Sequence, residues 1–397
     1  MKITKLNNSI QYYDWGSISM IPNLLGIDNL EETPMAELWM GDHPKAPSSA
    51  GIPTGERPLD ALIREDPHGI IGPKNVDKFG ASLPFLFKVL AAGRPLSIQS
   101  HPNKDQATRG YERENAEGIA LDSVRRNYRD KNHKPEIICA LTPFWAMCGF
   151  RPIEEIIGHL ADLKIGFLSG LADQLSASPD RDGLRSLLDL LLTVDASQRH
   201  KIASEVAARS EGKKEVPFAW ATKLHALFPG DMGVLCPFLL NLYRLTPGQA
   251  LYLGAGELHA YLDGMGVELM ANSDNVLRGG LTSKHIDVSE LLATLTFDVR
   301  PKIVLDGVSV SATEKTYQSE AEEFILSEIC VSNGNSYVSA PNHSVEIYIV
   351  IDGRCFLHPD SSDETCSLKK GESVLVPASV PGYAIDGNAK LYKAAVP

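Results

Sequence analysis

The octapeptide PLSIQSHP, residues 95–102, decides how we interpret the rest of the chain. Its residues alternate in character, so a strand would place Ser97, Gln99 and His101 on one face and two apolar residues on the other. A hydroxyl, an amide and an imidazole on one face suit either a solvated edge strand or a ligand-binding surface. Three other stretches carry ligand-type residues in similar positions, and they favour the ligand-binding surface.

Length and composition argue against several broad classes of protein. At 397 residues the chain is long enough for two or three domains. It has no apolar run of the ~18 residues that a membrane span needs, and its N-terminus lacks the apolar segment of a signal peptide. The net charge of −12 disfavours nucleic acid and anionic membranes as partners. The six cysteines form no C-x-x-C motif, which indicates a reducing, cytoplasmic location.

The pattern of apolar residues changes along the chain and predicts three regions. Residues 1–151 and 235–300 contain short period-two segments, and we assign them to one discontinuous β-barrel that carries the catalytic site. Residues 152–234 have apolar residues at three- and four-residue spacing, which predicts a helical insertion domain. Residues 301–397 return to strand-like patterns and are predicted to form a second barrel. The predicted fold class is therefore mainly β, with two barrels and an α-helical domain.

An internal repeat supports the prediction of two barrels. TPGQALYLGAGELHAYLDG aligns with KKGESVLVPASVPGYAIDG at a constant offset of 123 residues. His259 of the first copy is replaced by Gly382 in the second, so only the first copy would carry metal ligands. The dipeptide Asp263-Gly264 predicts a tight hairpin between two strands, and the Asp-Gly at 352–353 predicts another.

Four residues from three predicted strands could form a metal site. Gln99 and His101 come from PLSIQSHP, Glu136 comes from HKPEIICAL, and His259 comes from GELHAYL. One amide, two imidazoles and one carboxylate suit Zn²⁺ or a non-haem Fe²⁺, with a further position open to water or substrate. The residues alone leave the choice between the two metals open.

A lysine interrupts one of the most apolar predicted strands. In PFLFKVL, Lys88 lies on the face opposite to Phe85, Phe87 and Val89. Lysine is rarely buried unless it is paired. We therefore expect either that this face opens onto water or that Lys88 meets an anion.

Several motifs occur in an order that resembles a known family. FLFKVL, PLSIQSHPNK, NHKPEI, GELHAYL and SDNVLRGGLTSK, preceded by YDWGS, resemble the type I phosphomannose isomerases of the cupin superfamily. The resemblance is strong as far as Lys284 and weaker but compatible in the C-terminal barrel. It implies two cupin-type barrels and one Zn²⁺ per chain, held by Gln99, His101, Glu136 and His259. It also implies the interconversion of mannose 6-phosphate and fructose 6-phosphate.

The resemblance assigns further residues to the site. Those implied to be catalytic or to line the pocket are Arg278, Glu268, Lys134 and Asp274. The resemblance also places Ser97 and Lys284 where the family is thought to hold the substrate phosphate. Lys88 and His133 are our further candidates for contact with the substrate. An aldose–ketose shift moves a proton from C2 to C1 through an enediol, and Glu268, Lys134 and His133 remain rival carriers of that proton.

Other functions are compatible with the same ligands. A cupin oxygenase would use Fe²⁺ and consume oxygen, and another metal-dependent isomerase would act on a different sugar phosphate. A binding-only sugar sensor would not turn substrate over, and its helical insertion would present a partner surface. For the favoured function we expect a cytoplasmic monomer whose partner is a small phosphosugar.

Overall fold

The computed structural model of the protein describes residues 1–52, 55–301 and 304–397. The strands that precede the main helical region are β1 (Thr4–Asn7), β2 (Ser9–Gln11), β3 (Glu37–Met40), β4 (Ser49–Ile52), β5 (Gly55–Pro58), β6 (Phe85–Ala92), β7 (Ile98–Ser100), β8 (Glu136–Ala140) and β9 (Phe144–Phe150). Those that follow it are β10 (Leu240–Leu245), β11 (Ala250–Leu253), β12 (His259–Ala271), β13 (Leu277–Gly280), β14 (Val308–Ser309), β15 (Glu314–Tyr317), β16 (Ile325–Val331), β17 (Tyr337–Val338), β18 (Glu346–Pro359), β19 (Cys366–Lys369), β20 (Ser373–Val376) and β21 (Tyr383–Ala395).

Twelve α-helices accompany these strands in the described part of the chain. They are α1 (Met20–Leu25), α2 (Leu59–Glu65), α3 (Pro67–Ile70), α4 (Pro73–Phe79), α5 (Lys104–Ala116), α6 (Ile153–Asp162), α7 (Gly166–Ala177), α8 (Arg181–Thr193), α9 (Ala196–Ser210), α10 (Val216–Leu227), α11 (Cys236–Leu239) and α12 (Val288–Thr294). A 3₁₀ turn spans Met232–Leu235. The protein is thus rich in sheet, with its longer helices grouped between β9 and β10.

The strands form two large antiparallel sheets. A 10-stranded sheet has the main order β10-β9-β12-β6-β3-β2, with β7, β8, β11 and β13 joined at its side. An 11-stranded sheet has the main order β14-β15-β16-β21-β18-β20-β1-β4-β5, with β17 and β19 attached to it. The long central strand β12 contacts four different strands of the first sheet, and it therefore organises the region around the candidate site.

The two sheets pack against each other through one apolar face of β6. Phe85, Phe87 and Val89 share a core with Ile347 and Leu375 of the second sheet. Because strand side chains alternate, Lys88 projects from the opposite face, as the sequence predicts. All eight residues of β6 are buried, so the lysine lies inside the protein rather than at a solvated face.

Helices α6 to α10 lie between residues 153 and 227 and build a second apolar core. Their apolar faces pack on one another and on β9 and β10, with Leu160, Leu188 and Leu224 among the buried residues. This core is continuous with Ile98 of β7. The helical region therefore supports the strand that precedes His101. Among the described helices, none combines the length and hydropathy that a membrane crossing requires.

The predicted hairpin at Asp263-Gly264 is wrong. Residues His259–Ala271 form one continuous strand, which changes partners with a register shift between Tyr261 and Asp263. Gly264 has φ +115°, and a Cβ there would lie 2.5 Å from the carbonyl oxygen of Pro143. The glycine thus allows the strand to bend and lets two backbone segments come close together. It does not reverse the chain direction.

The predicted hairpin at 352–353 is wrong for a similar reason. Residues Glu346–Pro359 also form a single strand, with a register shift between Val350 and Asp352. In both sheets an Asp-Gly pair therefore marks a bend within a long strand. The strand continues to pair with its neighbours before and after the bend.

The structure repeats the element that the sequence repeat predicts. Strand β11 spans Ala250–Leu253 and β20 spans Ser373–Val376, which is the same segment 123 residues later. The following long strands β12 and β21 both have 13 residues. Gly264 and Gly387 have φ +115° and +118°, so even the bend recurs in the second copy.

Candidate metal centre

Three buried ligand-type residues converge on the inner face of the 10-stranded sheet. The ligand atoms of His101, Glu136 and His259 all lie within 4.8 Å of one another. His101 follows β7, Glu136 begins β8 and His259 begins β12, so three neighbouring strand ends hold the cluster. The side chains of all three residues are 1% exposed or less.

Strand register places Gln99 beside this cluster. Gln99 pairs with His259 across β7 and β12, and it pairs with Arg278 across β7 and β13. Directly paired residues point to the same face of a sheet, so Gln99 lies between an imidazole of the cluster and a guanidinium. The half-buried Ser97 lies two residues before it, at the entry to β7.

Backbone carbonyl groups orient both imidazoles. The Nδ1 of His101 lies 2.7 Å from the carbonyl oxygen of Asn275, and the Nδ1 of His259 lies 3.0 Å from that of Glu257. A carbonyl oxygen only accepts, so each Nδ1–H donates and each Nε2 keeps a free lone pair. This is the tautomer that a metal-binding histidine needs.

The arrangement passes a structural test for a metal ion. Within the described residues, neither Nε2 has a hydrogen-bond partner although both atoms are buried. These atoms lie 3.3 Å and 3.7 Å from the two carboxylate oxygens of Glu136. Two buried, unpaired lone pairs facing a carboxylate are costly without a cation between them, and they fit Zn²⁺ or Fe²⁺.

The electrostatics keep the ligands in their metal-binding forms. Burial, assisted by the nearby charge of Lys134, lowers the pKa of His101 to about 4. Burial also lowers the pKa of His259. Burial opposes ionisation of Glu136, but the charge of Lys134 overcomes it and holds the pKa of the carboxyl well below its usual range. Neutral imidazoles and an ionised carboxylate are therefore present at neutral pH.

Lys88 and Glu268 form a buried charge network beside the cluster. The Nζ of Lys88 lies 2.9 Å from Glu268 and 3.3 Å from Glu37. Burial alone would lower the pKa of Lys88, but these two carboxylates raise it. Burial raises the pKa of Glu268, with Lys88 opposing the shift. The sequence left two possibilities for Lys88, a face open to water or contact with an anion. The structure shows the second, and the anions are carboxylates of the protein itself.

Lys134 contacts the cluster, and Asp274 lies within range of the charge of Lys134. The Nζ of Lys134 lies 2.6 Å from Glu136. Asp274 is half-buried and lies 2.7 Å from the Nζ of Lys45 and 3.7 Å from His43. Burial opposes ionisation of Asp274, but the hydrogen bond from Lys45 lowers its pKa.

Arg278 and Lys284 are two cations close enough for their charges to act on each other. In the described ranges, neither side chain makes an ion pair with a carboxylate. Burial and the charge of Arg129 lower the pKa of Arg278. Burial, Arg278 and Arg129 lower the pKa of Lys284. Neighbouring cations without an acidic partner are suited to contact an anionic group.

His133 lies in the loop that leads to Glu136 and contacts a distant part of the chain. Its Nε2 lies 2.6 Å from a carboxylate oxygen of Glu323, and its side chain is 28% exposed. His133 is therefore the most accessible of the three candidate proton carriers, since Glu268 and Lys134 are buried.

Sequence reasoning missed several residues that shape the site. They are Glu37, Lys45, Arg129, Asn275 and Glu323. Asn275 and Arg129 lie within or near motifs that the sequence already singles out, so a search for hydrogen-bonding residues beside the ligands could have found them. Nothing in the sequence indicates that Glu323 meets His133, because 190 residues separate them.

Comparisons with known proteins agree with this geometry. The family described as "Phosphomannose isomerase type I, catalytic domain" matches residues 3–153, and "Mannose-6-phosphate isomerase, cupin domain" matches residues 313–396. The chain is 38% identical to the mannose-6-phosphate isomerase of Salmonella typhimurium over 391 residues, which cover 98% of both proteins. It is 37% identical to that of Escherichia coli, with the same coverage.

Solved structures give the same result. A crystal structure of mannose 6-phosphate isomerase described as holo and zinc bound superimposes with a TM-score of 0.93 and 35% sequence identity. The match covers the whole of both chains. A second structure, bound with zinc and yttrium, superimposes with the same TM-score and identity.

Proposed function

The chain belongs to the type I phosphomannose isomerases, and we propose on this premise that it interconverts mannose 6-phosphate and fructose 6-phosphate at the centre described above. The observation that carries the proposal is the pair of buried Nε2 atoms of His101 and His259, which face Glu136 without a hydrogen-bond partner in the described chain. Relatives that span almost the full chain carry this activity in their names.

One zinc ion per chain fits the donor set. His101, Glu136 and His259 would hold it, with the amide oxygen of Gln99 as the fourth ligand, and these neutral imidazoles and single carboxylate suit Zn²⁺. When bound, zinc supplies a Lewis acid that stabilises negative charge on a substrate oxygen without redox chemistry. Lys134, 2.6 Å from Glu136, adds a positive charge on the same side.

Arg278 and Lys284 bind the charged parts of the substrate in this proposal. Both are cations without an acidic partner in the described structure, and Arg278 lies directly across from Gln99. The permanently charged guanidinium of Arg278 would stabilise the oxygens of the enediol, while Lys284 and Ser97 would contact the phosphate. Lys88 is already paired with two buried carboxylates. We therefore propose that it stabilises the protein interior next to the metal centre and does not bind the phosphate.

Of the three candidates, we assign the proton transfer to His133. Glu268 is buried and forms an ion pair with Lys88, and Lys134 forms an ion pair with Glu136. The ring of His133 is partly exposed, and histidine is the side chain most often used for general acid–base catalysis. It would take the proton from C2 and return it to C1, with Asp274 lining the same pocket.

The finer description of the fold is also part of the proposal. We assign residues 1–151 and 235–300 to a catalytic cupin-type barrel, 152–234 to a helical insertion, and 301–397 to a cupin-type barrel without metal ligands. The recurring bend at Gly264 and Gly387 supports two related barrels. The six cysteines are all free, which suits the reducing cytoplasm. The monomeric state remains a prediction.

A coupled assay for fructose 6-phosphate tests the function. Purified protein supplied with mannose 6-phosphate should form fructose 6-phosphate at the same rate in air and under anaerobic conditions. Oxygen consumption with loss of activity under nitrogen would instead indicate the oxygenase. Binding of the sugar phosphate without turnover would indicate the sensor, and turnover of a different sugar phosphate alone would indicate another isomerase.

A further inference from the structure

The C-terminal region supplies a carboxylate to the loop that leads to the metal-ligand candidate Glu136. Glu323 lies in the segment between β15 and β16, and its Oε1 is 2.6 Å from the Nε2 of His133. His133 lies in the loop that precedes β8, three residues before the metal-ligand candidate Glu136. The contact therefore joins the second sheet to the loop that carries the proposed proton carrier.

Glu323 is buried, and the contact with His133 is what stabilises its charge there. The side chain is 6% exposed, and its second oxygen, Oε2, has no hydrogen-bond partner within the described residues. A buried carboxylate with so few partners is costly unless an opposing donor stabilises it. Burial acts against ionisation, but the hydrogen bond from His133 prevails and lowers the pKa of Glu323.

The contact determines which nitrogen of His133 carries the proton. An ionised carboxylate only accepts, so Nε2–H donates to Glu323 and Nδ1 is left with its lone pair. The ring is partly exposed, and no protein donor contacts Nδ1 in the described structure. A base held by a second group that fixes its tautomer is the arrangement that catalytic histidines use on unrelated folds.

We propose that Glu323 is a positioning residue that acts through His133, so that the C-terminal region completes the catalytic site. Its carboxylate fixes the ring so that Nδ1 faces the substrate, and it stabilises the imidazolium that forms while the ring holds the proton taken from C2. The proton then returns from Nδ1 to C1, and Glu323 itself never transfers one. This inference rests on the proposed isomerase function.

The neighbouring residue provides a matched control. Glu322 also forms an ion pair, at 3.1 Å from the Nζ of Lys78, but both side chains are at least half exposed. Glu322→Gln removes the same charge one residue away without touching His133. A loss of activity in Glu323→Gln that Glu322→Gln does not share therefore reports the contact rather than the net charge of the segment.

The experiment compares these variants in the mannose 6-phosphate assay. In Glu323→Gln the amide can donate to Nε2 and select the wrong tautomer, so kcat should fall by about 10²-fold. KM and zinc content should stay within about two-fold of the wild-type values, because neither the metal ligands nor the cations change. Glu323→Asp keeps the charge on a shorter chain and should retain more activity than Glu323→Gln.

A double-mutant cycle separates positioning from a merely structural role. On a His133→Ala background, Glu323→Gln should cause no further loss of kcat, because the ring on which it acts is gone. Equal losses on both backgrounds would overturn the inference, as would wild-type kcat in Glu323→Gln. If Glu323→Gln does not fold, Glu323→Asp is compared on the two backgrounds in the same way. A wild-type protein that fails to isomerise mannose 6-phosphate would overturn the proposed function, and this inference with it.

Discussion

The Nδ1 of His101 donates to the backbone carbonyl of Asn275 at 2.7 Å, which ties a metal-ligand candidate to the loop on the far side of the site. The side chain of Asn275 is fully buried, and its Oδ1 accepts the backbone N–H of Arg129 at 2.7 Å. Its Nδ2 donates to the carbonyl oxygens of Asp130 and Asn132, each at 2.9 Å. One asparagine thus orients His101 and fixes the loop that leads to His133.

Replacing Asn275 should weaken metal binding. Asn275→Ala leaves several buried backbone groups unpaired, which should destabilise the fold by about 1–3 kcal/mol. It should also lower zinc affinity by about 10–100-fold, because the carbonyl that orients His101 loses its support. Competition of the purified protein with a zinc-binding dye measures this affinity. Asn272→Ala is the control, since the Asn272 side chain makes only a 3.5 Å contact with Leu83. Equal zinc affinity in the two variants would contradict the prediction.

Removing the buried lysine should cost stability. Lys88→Met leaves the carboxylates of Glu37 and Glu268 buried without their cation, and we expect a loss of about 3–5 kcal/mol in the free energy of unfolding. Urea denaturation measures the loss. Lys5→Met, which breaks the exposed pair with Glu372, should cost less than about 1 kcal/mol. A Lys88→Met protein as stable as Lys5→Met would show that the network is not buried as described.

Arg278 should affect turnover and leave the metal in place. Arg278→Ala removes a cation that, in our proposal, faces the substrate. Its side chain makes no hydrogen bond to a metal-ligand candidate within the described chain, so kcat should fall by at least about 10²-fold with zinc content unchanged. Arg278→Lys should restore only part of the activity, because a lysine cannot reproduce the planar guanidinium. The exposed Arg244 provides the control, and Arg244→Ala should behave as wild type. Loss of zinc from Arg278→Ala would mean that its position is misassigned.

The stability of the protein should depend on pH through Asp42. Burial raises the pKa of its carboxyl to about 6, while a backbone N–H from Leu83 opposes the shift. The folded protein therefore binds this proton more tightly than the unfolded chain, whose carboxyl titrates near about 3.9. The stabilisation present at low pH is lost as pH rises through about 6.

Asp42→Asn should remove this dependence. It should raise the free energy of unfolding by about 2 kcal/mol more at pH 7.5 than at pH 4.5, because the charge that is costly to bury exists only at the higher pH. Denaturant titrations of both proteins at the two pH values provide the measurement. The same difference between variant and wild type at both pH values would contradict the prediction.

Much of the site follows from alternation and motif order. The period-two patterns place His101, Glu136 and His259 on strands that turn out to be neighbours, and their ligand atoms lie within 4.8 Å of one another. The same alternation correctly separates Lys88 from the apolar face of its strand. Such patterns succeed because each strand has a buried apolar face that fixes its register.

The errors and omissions arise from contacts that are remote in sequence. Asp263-Gly264 has the composition of a hairpin turn, but the Pro143 carbonyl that lies close to the glycine is 121 residues away, and the chain bends instead of reversing. Glu323 lies between two strands of the second sheet, far along the chain from His133, and an acidic segment carries no local signal of its partner. Local propensity cannot anticipate contacts that only the packing of the two sheets creates.

Stoichiometric reconstitution with zinc tests the central claim most directly. The protein is stripped with a chelator, zinc is titrated back, and fructose 6-phosphate formation from mannose 6-phosphate is followed at each step. We predict that activity is absent without metal, rises linearly and reaches its plateau at one zinc ion per chain, whereas His259→Ala regains none. Full activity in the stripped protein, or full recovery in His259→Ala, would contradict a zinc-dependent isomerase built on His101, Glu136 and His259.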